Sequence, residues 1–117
     1  MKKMYIAVLD EVPDFMVPTL VAHSVINAHL YFADIDKISE PWFDDYQDWL
    51  ENSYKKVTVR VNRKEFEKIK ESGIPIWLGH ENTTLDGEKS CAVVLPLEDD
   101  DRPNVLKFAK TWAPNVD

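Results

Sequence analysis

The feature that most constrains the fold is an uninterrupted apolar run near the start of the chain. Met4 to Leu9 contains only apolar and aromatic side chains, without the alternation expected of a strand that faces water on one side. Such a run is typical of a β-strand buried on both faces of a parallel or mixed sheet. The turn pair Pro13-Asp14 follows, and Pro18 to Phe32 has the apolar spacing of a helix. This beginning predicts an α/β fold.

Composition sets the limits on the class of protein. A length of 117 residues and a hydrophobic fraction of 44% indicate one globular domain that spans residues 1–117. The chain has neither a membrane-length apolar run nor a signal-peptide pattern, so we expect a cytoplasmic protein without membrane association. The single cysteine, Cys91, heads an apolar run and is interpreted as a core residue. The net charge of -7 argues against a broad nucleic-acid-binding surface but leaves a local basic patch open.

The first helix is expected to present two faces. Val21, Val25, Ala28 and Phe32 keep helical spacing and are predicted to face the core. Thr19, His23 and Asn27 share another face, while His29 is interpreted as structural or surface-exposed. Ligands of open α/β sheets collect where a strand's carboxyl end meets the following helix. The polar residues at this junction are therefore the first candidates for a functional site.

The second helix has an aromatic stripe. Ser39 is a plausible cap for it, and Pro41 suits its first turn. Its predicted core face carries Trp42, Tyr46, Trp49 and Leu50. An aromatic stripe can stack nucleobases, but the acidic residues between these positions would repel phosphate, so we interpret it as core packing.

The remainder of the chain predicts three more strands and two more helices. Asn62, with Glu65 three residues later, has the pattern of a capping box. The expected elements are a strand at 57–61, a helix from Asn62 to Gly73, strands at 75–78 and 91–95, and a last helix from Pro103 that Pro114 stops. The sequence thus predicts a four-stranded sheet flanked by helices, in the order β-α-α-β-α-β-β-α.

This order and several segments resemble the type II peptidyl-tRNA hydrolases. The strand end Val8-Leu9-Asp10 resembles the end of the family's first strand, which places Asp10 on the family's aspartate. Leu20 to Ser24 is similar to the family's Ala-Gln-Cys-Ser-His segment. Downstream, the segments that resemble the family are Trp49 with Lys55 to Val61, Gly73 to Leu78, Glu81 to Thr84, and Ser90 to Pro96. The resemblance implies a single-domain hydrolase fold with a mixed four-stranded sheet flanked by helices, and a site at the carboxyl end of the first strand.

The same alignment shows which site residues differ. The family's lysine at the head of the first helix falls on Val17, and the family's Ser-His pair appears in reversed order as His23-Ser24. The residues that the resemblance places in the site are Asp10, His23, Glu81 and Thr84. His23 is the added titratable group, and Glu81 stands where the family has aspartate. A valine at position 17 cannot supply a charge or a proton.

Three functions follow from these residues. The first is a catalytically degenerate domain of this family that binds a partner, tRNA or a protein. The second is a peptidyl-tRNA hydrolase in which His23 acts as general base beside Asp10 or Glu81. The third is a divalent-metal site formed by Asp10, His23, His80 and Glu81.

Other classes lack their signatures. The chain has three glycines, without the spacing of a phosphate-binding loop, and it contains neither a nucleophile elbow nor a Cys-x-x-Cys pair. We therefore expect no nucleotide kinase, serine hydrolase or zinc finger, and no bound cofactor. The sequence leaves the oligomeric state open, including a homodimer.

Overall fold

In the computed structural model, which describes residues 1–115, the apolar run at the start of the chain forms the central strand of a mixed sheet. Every residue from Met4 to Leu9 is buried, as the absence of alternation predicts. The helices and strands in chain order are β1 (Lys3–Leu9), α1 (Val17–Phe32), α2 (Glu40–Asn52), β2 (Lys55–Val61), α3 (Arg63–Lys70), β3 (Ile76–Gly79), β4 (Cys91–Val94), α4 (Asn104–Lys107) and β5 (Lys110–Thr111).

The sheet has the spatial order β3-β4-β1-β2-β5. β1 pairs parallel with β2 and antiparallel with β4, and β3 pairs antiparallel with β4. The carboxyl ends of β1, β2 and β3 therefore lie on the same side of the sheet, at the ends of the strands, together with the start of β4. The expected α/β class and mixed sheet are confirmed, and the predicted strands and helices occur in the predicted order up to β4.

The prediction of four strands is wrong, because the end of the chain adds a fifth. The last helix ends at Lys107 instead of continuing toward Pro114, and Lys110–Thr111 pairs antiparallel with β2. Trp112 then donates a backbone hydrogen bond to Thr58 O at 2.9 Å. The edge of β2 presents unpaired backbone groups that an extended segment can satisfy, whereas a helix of one turn has little stability of its own.

The predicted core face of α1 is confirmed at Ala28 and Phe32 but differs at the two valines. Leu20, Ser24 and Ala28 are fully buried with Phe32, whereas Val21 and Val25 are half-buried at the flank of this stripe. Ser24 satisfies its hydroxyl by donating to Leu20 O at 2.7 Å. Apolar spacing alone favoured the valines, but the small residues allow the helix to lie close to the sheet.

The remaining helices match their patterns. Tyr46 and Trp49 of α2 are buried, and Trp42 and Leu50 are half-buried beside the core. The capping box of α3 is complete, since Glu65 N donates to Asn62 Oδ1 at 2.8 Å and Asn62 N donates to Glu65 Oε1 at 2.9 Å. Local sequence therefore determines where α3 begins.

Among the helices of residues 1–115, none combines the length and the apolarity that crossing a bilayer requires.

Candidate functional site

The candidate site lies where α1 crosses the end of β3. Ser24 packs directly on Gly79, and a Cβ on Gly79 would overlap the Ser24 side chain, so this close approach requires glycine. The contact places His23, the neighbour of Ser24, beside the loop that follows Gly79. Two segments far apart in the sequence thus form one site.

His23 and Glu81 are in contact across this junction. His23 Nε2 lies 3.3 Å from Glu81 Oε2, and the imidazole is more than half exposed while the carboxylate is largely covered. Thr83 holds Glu81 in place, because its backbone N and its Oγ1 both donate to Glu81 Oε1, at 3.3 and 3.1 Å. These bonds from Thr83, with a smaller contribution from His23, lower the pKa of Glu81. Glu81 is therefore a carboxylate favoured in its ionised form and placed beside the imidazole.

A small cleft opens beside this pair, which we call the polar pocket. It has a volume of about 160 Å³ and lies between α1 and the ends of β3 and the following loop. Lys89 reaches into it, with its Nζ 3.0 Å from His80 Nδ1. The polar pocket is lined by His23, Ser24, Asn27, Trp77, Leu78, Gly79, His80 and Lys89. It combines hydrogen-bonding groups, one permanent cation and an aromatic wall.

The other two predicted site residues are placed less centrally. Asp10 is exposed just after β1, and its backbone N donates to Val61 O at 2.8 Å. Its carboxylate forms no hydrogen bond or ion pair within residues 1–115, so Glu81 is the partner that His23 contacts. Thr84 is buried, and its Oγ1 donates to Glu81 O at 3.4 Å, which stabilises the loop rather than opening toward the polar pocket.

The first residue of α1 is a valine, which carries no positive charge. Val17, the residue at the position of the family's lysine, is 3% exposed and belongs to the core. The preceding turn is held by Asp14, whose carboxylate accepts from Arg60 at 3.1 Å and from Asn115 N at 2.6 Å. The hydrogen bond from Asn115 N has the largest effect in lowering the pKa of the Asp14 carboxyl, and the bond from Arg60 lowers it further. The turn is thus fixed by internal bonds.

The metal hypothesis required four ligands to converge. Within residues 1–115, no three His, Cys, Asp or Glu side chains lie close enough to hold a metal ion. Of Asp10, His23, His80 and Glu81, only His23 and Glu81 are in contact. The four predicted ligands therefore do not converge on one point within residues 1–115. Cys91 is fully buried, and burial raises the pKa of its thiol to about 12, which fits the predicted core residue.

Sequence reasoning missed Trp77 and Lys89. Nothing near Lys89 in the sequence marks it as functional, because it lies in a polar loop. The signal is the antiparallel pairing of β3 with β4, in which Gly79 faces Cys91. His80, one residue beyond Gly79, and Lys89, two residues before Cys91, thereby become neighbours. Asn27 had been assigned to the face of His23, and both line the polar pocket.

The chain matches no protein-family model, and no curated protein matches it at a significant level. The functional interpretation therefore depends on the residues and geometry described above.

Proposed function

We propose that this chain is a catalytically degenerate relative of the type II peptidyl-tRNA hydrolases that binds a tRNA-like ligand in the polar pocket without hydrolysing it. The observation that carries the proposal is the burial of Val17. A fully packed valine occupies the place where the resemblance implies a lysine. A buried apolar side chain cannot stabilise developing charge or transfer a proton there.

The order of strands and helices supports the scaffold part of this proposal. The elements from β1 to α4 follow the order that the resemblance implies. The candidate site lies beyond the carboxyl end of β3, and open α/β sheets bind ligands at the carboxyl ends of their strands. β5 is an addition at the far edge of the sheet, next to β2 and away from the polar pocket.

The lining of the polar pocket supports a nucleotide as the ligand. Lys89 supplies a positive charge for phosphate, Asn27 supplies donors and an acceptor for a base edge, and Trp77 supplies an aromatic surface. The ligand would be held by a few local groups, because the chain as a whole has a net charge of -7. Binding is therefore expected to be weak at high salt.

The experiment is equilibrium binding of deacylated tRNA to the wild type and to Lys89→Gln, at one fixed low salt concentration. The loss of one charge-assisted contact, worth about 1.5–3 kcal/mol, predicts affinity lower by roughly 10- to 150-fold. Lys64→Gln on α3 is the matched control, since it removes the same charge from an exposed residue that does not line the polar pocket. Equal weakening by both variants would mean that tRNA binds through net charge alone.

A second candidate function is favoured by the 3.3 Å contact between His23 and Glu81. An imidazole oriented by an ionised carboxylate can act as a general base toward a water molecule. Under this alternative the chain hydrolyses the ester of peptidyl-tRNA, and His23→Ala lowers the rate by about 10²- to 10⁴-fold. The two functions differ in whether any ester is cleaved.

A further inference from the structure

A second cleft, which we call the aromatic pocket, lies on the other flank of α1. It opens between α1, α2 and the start of β2 and has a volume of about 250 Å³. Its lining is mostly apolar, and it consists of Val25, Ile26, His29, Leu30, Tyr46, Trp49, Leu50, Tyr54 and Lys56. Ile26 and Leu30 are 64% and 63% exposed at its rim. None of these residues belongs to the polar pocket.

Lys56 is an exposed residue whose ammonium group lies against two aromatic rings of this lining. Its Nζ lies 3.5 Å from the centroid of the Tyr54 ring and 5.2 Å from that of Trp49, and it donates to Tyr54 O at 2.7 Å. No carboxylate of residues 1–115 lies within the 4.0 Å of an ion pair with it. Loss of hydration lowers the pKa of Lys56, and no neighbouring charge opposes this effect. The ammonium group retains donors for an incoming anion.

Tyr54 occupies a backbone position that normally carries glycine. Its φ is 66°, and its N donates to Trp49 O at 2.7 Å, which ends α2 in the left-handed conformation. A bulky aromatic residue is strained there. Its ring stacks on Trp49 with centroids 5.4 Å apart and planes at 25°. The strained backbone of Tyr54 therefore carries an aromatic ring that forms one wall of the pocket, which glycine could not supply.

A hydrogen-bonded polar pair completes the aromatic pocket. The Tyr46 hydroxyl lies 2.9 Å from His29 Nδ1. Burial raises the pKa of Tyr46 to about 12, so this hydroxyl stays protonated at neutral pH. An apolar cleft with a few convergent polar groups is the usual form of a small-molecule site.

We infer that the aromatic pocket binds a small organic acid, with an aryl or branched-alkyl body between α1 and α2 and its carboxylate on Lys56. Charge complementarity selects this class of ligand. A cationic ligand would be repelled by Lys56, and a neutral apolar ligand would remove still more water from the ammonium group without pairing it. A carboxylate pairs the charge while its body covers the exposed apolar rim. This inference is independent of the proposed tRNA site.

The test is a titration with 2-naphthoate and with its neutral isostere 2-naphthamide, followed by calorimetry and by the amide NMR shifts of residues 25–30 and 49–56. We expect 1:1 binding of the acid, with the amide at least 10-fold weaker. Lys56→Met should weaken acid binding at least 10-fold without weakening amide binding, because the dehydration penalty of the ammonium group is then absent. Lys55→Met is the control, because successive side chains of β2 point to opposite faces and Lys55 does not line the aromatic pocket.

Tyr54→Gly separates the role of the ring from folding. Glycine suits the backbone at this position, so the variant should remain folded, and it should bind the acid at least 10-fold more weakly. Equal affinity for acid and amide, or no saturable shift at residues 25–30 and 49–56, would overturn the inference. So would a dimer in sedimentation velocity that Leu30→Lys dissociates, because the pocket would then be filled by a second copy.

Discussion

The polar pocket and the aromatic pocket share α1 as a wall, but their charged groups have different neighbours. In the polar pocket His23 contacts the Glu81 carboxylate, and Lys89 lies within hydrogen-bond distance of the His80 imidazole. In the aromatic pocket Lys56 has no carboxylate partner within residues 1–115 and lies against the rings of Tyr54 and Trp49. The first arrangement suits a polar ligand that exchanges hydrogen bonds with the protein. The second suits a ligand that brings the missing charge with it.

Both pockets exist because the buried stripe of α1 is narrow. The small residues Ser24 and Ala28 allow the helix to lie close to the sheet and leave the flanking residues at the edges. His23 and Asn27 lie on one flank, and Ile26 and Leu30 lie on the other. A helix with larger residues on its buried face would stand further from β3, and the contact between His23 and Glu81 would be lost.

The largest effect is expected from Gly79→Ala. The added methyl group overlaps Ser24, so α1 must shift, and we expect a loss of about 1–3 kcal/mol in the free energy of unfolding, measured by urea denaturation. The same substitution in a Ser24→Gly background should cost less, because the clashing side chain is absent. An equal cost in both backgrounds would show that the close approach of α1 does not depend on this contact.

A smaller effect is expected at Tyr54. Tyr54→Ala and Tyr54→Gly both remove the ring from Trp49, but only alanine keeps the strain of a φ of 66°. We expect the glycine variant to be more stable than the alanine variant by about 1 kcal/mol in thermal and urea unfolding. If the two variants were equally stable, the backbone at this position would not be strained, and the argument for an aromatic wall held against strain would fail.

These predictions concern features that the sequence revealed to different degrees. The buried strand at Met4–Leu9 and the capping box of Asn62 could be predicted, because each depends on residues that are adjacent or three apart. The end of the last helix could not, since apolar spacing favoured a helix while pairing with the edge of β2 decided the conformation. Long-range pairing competes with local preference, and one sequence does not show which prevails.

In the candidate site, too, features that depend on nearby residues could be predicted, and features that depend on long-range pairing could not. The spacing of α1 placed His23 on a polar face, and the resemblance placed Glu81 in the candidate site, and the structure brings these two side chains into contact. Asp10 was expected beside them, but its carboxylate has no partner within residues 1–115. The position of Lys89 beside His80 depends on the register of β3 with β4, which the sequence did not provide. The aromatic pocket was concealed, because the stripe of α2 had been interpreted wholly as core.

The smallest effect is expected from pH at Glu81. The pKa of this carboxyl is lowered in the folded protein from the ordinary value of 4.5, chiefly by the hydrogen bonds from Thr83. Its contribution to stability is therefore fully present above pH 4.5 and is lost as the pH falls through the lowered pKa. The difference in unfolding free energy between wild type and Glu81→Gln should be constant above pH 5 and shrink below pH 4. A difference that persists unchanged in acid would mean that Glu81 is not stabilised in its ionised form.

The most direct test of the account is release of the acyl group from a labelled N-acyl-aminoacyl-tRNA. The wild type and His23→Ala are compared at protein equal to substrate, with retention of the tRNA measured in the same samples. We predict that neither protein releases the acyl group faster than buffer, while the wild type retains the tRNA. Release by the wild type that His23→Ala abolishes would contradict this account, and the contact between His23 and Glu81 would then belong to an active hydrolase.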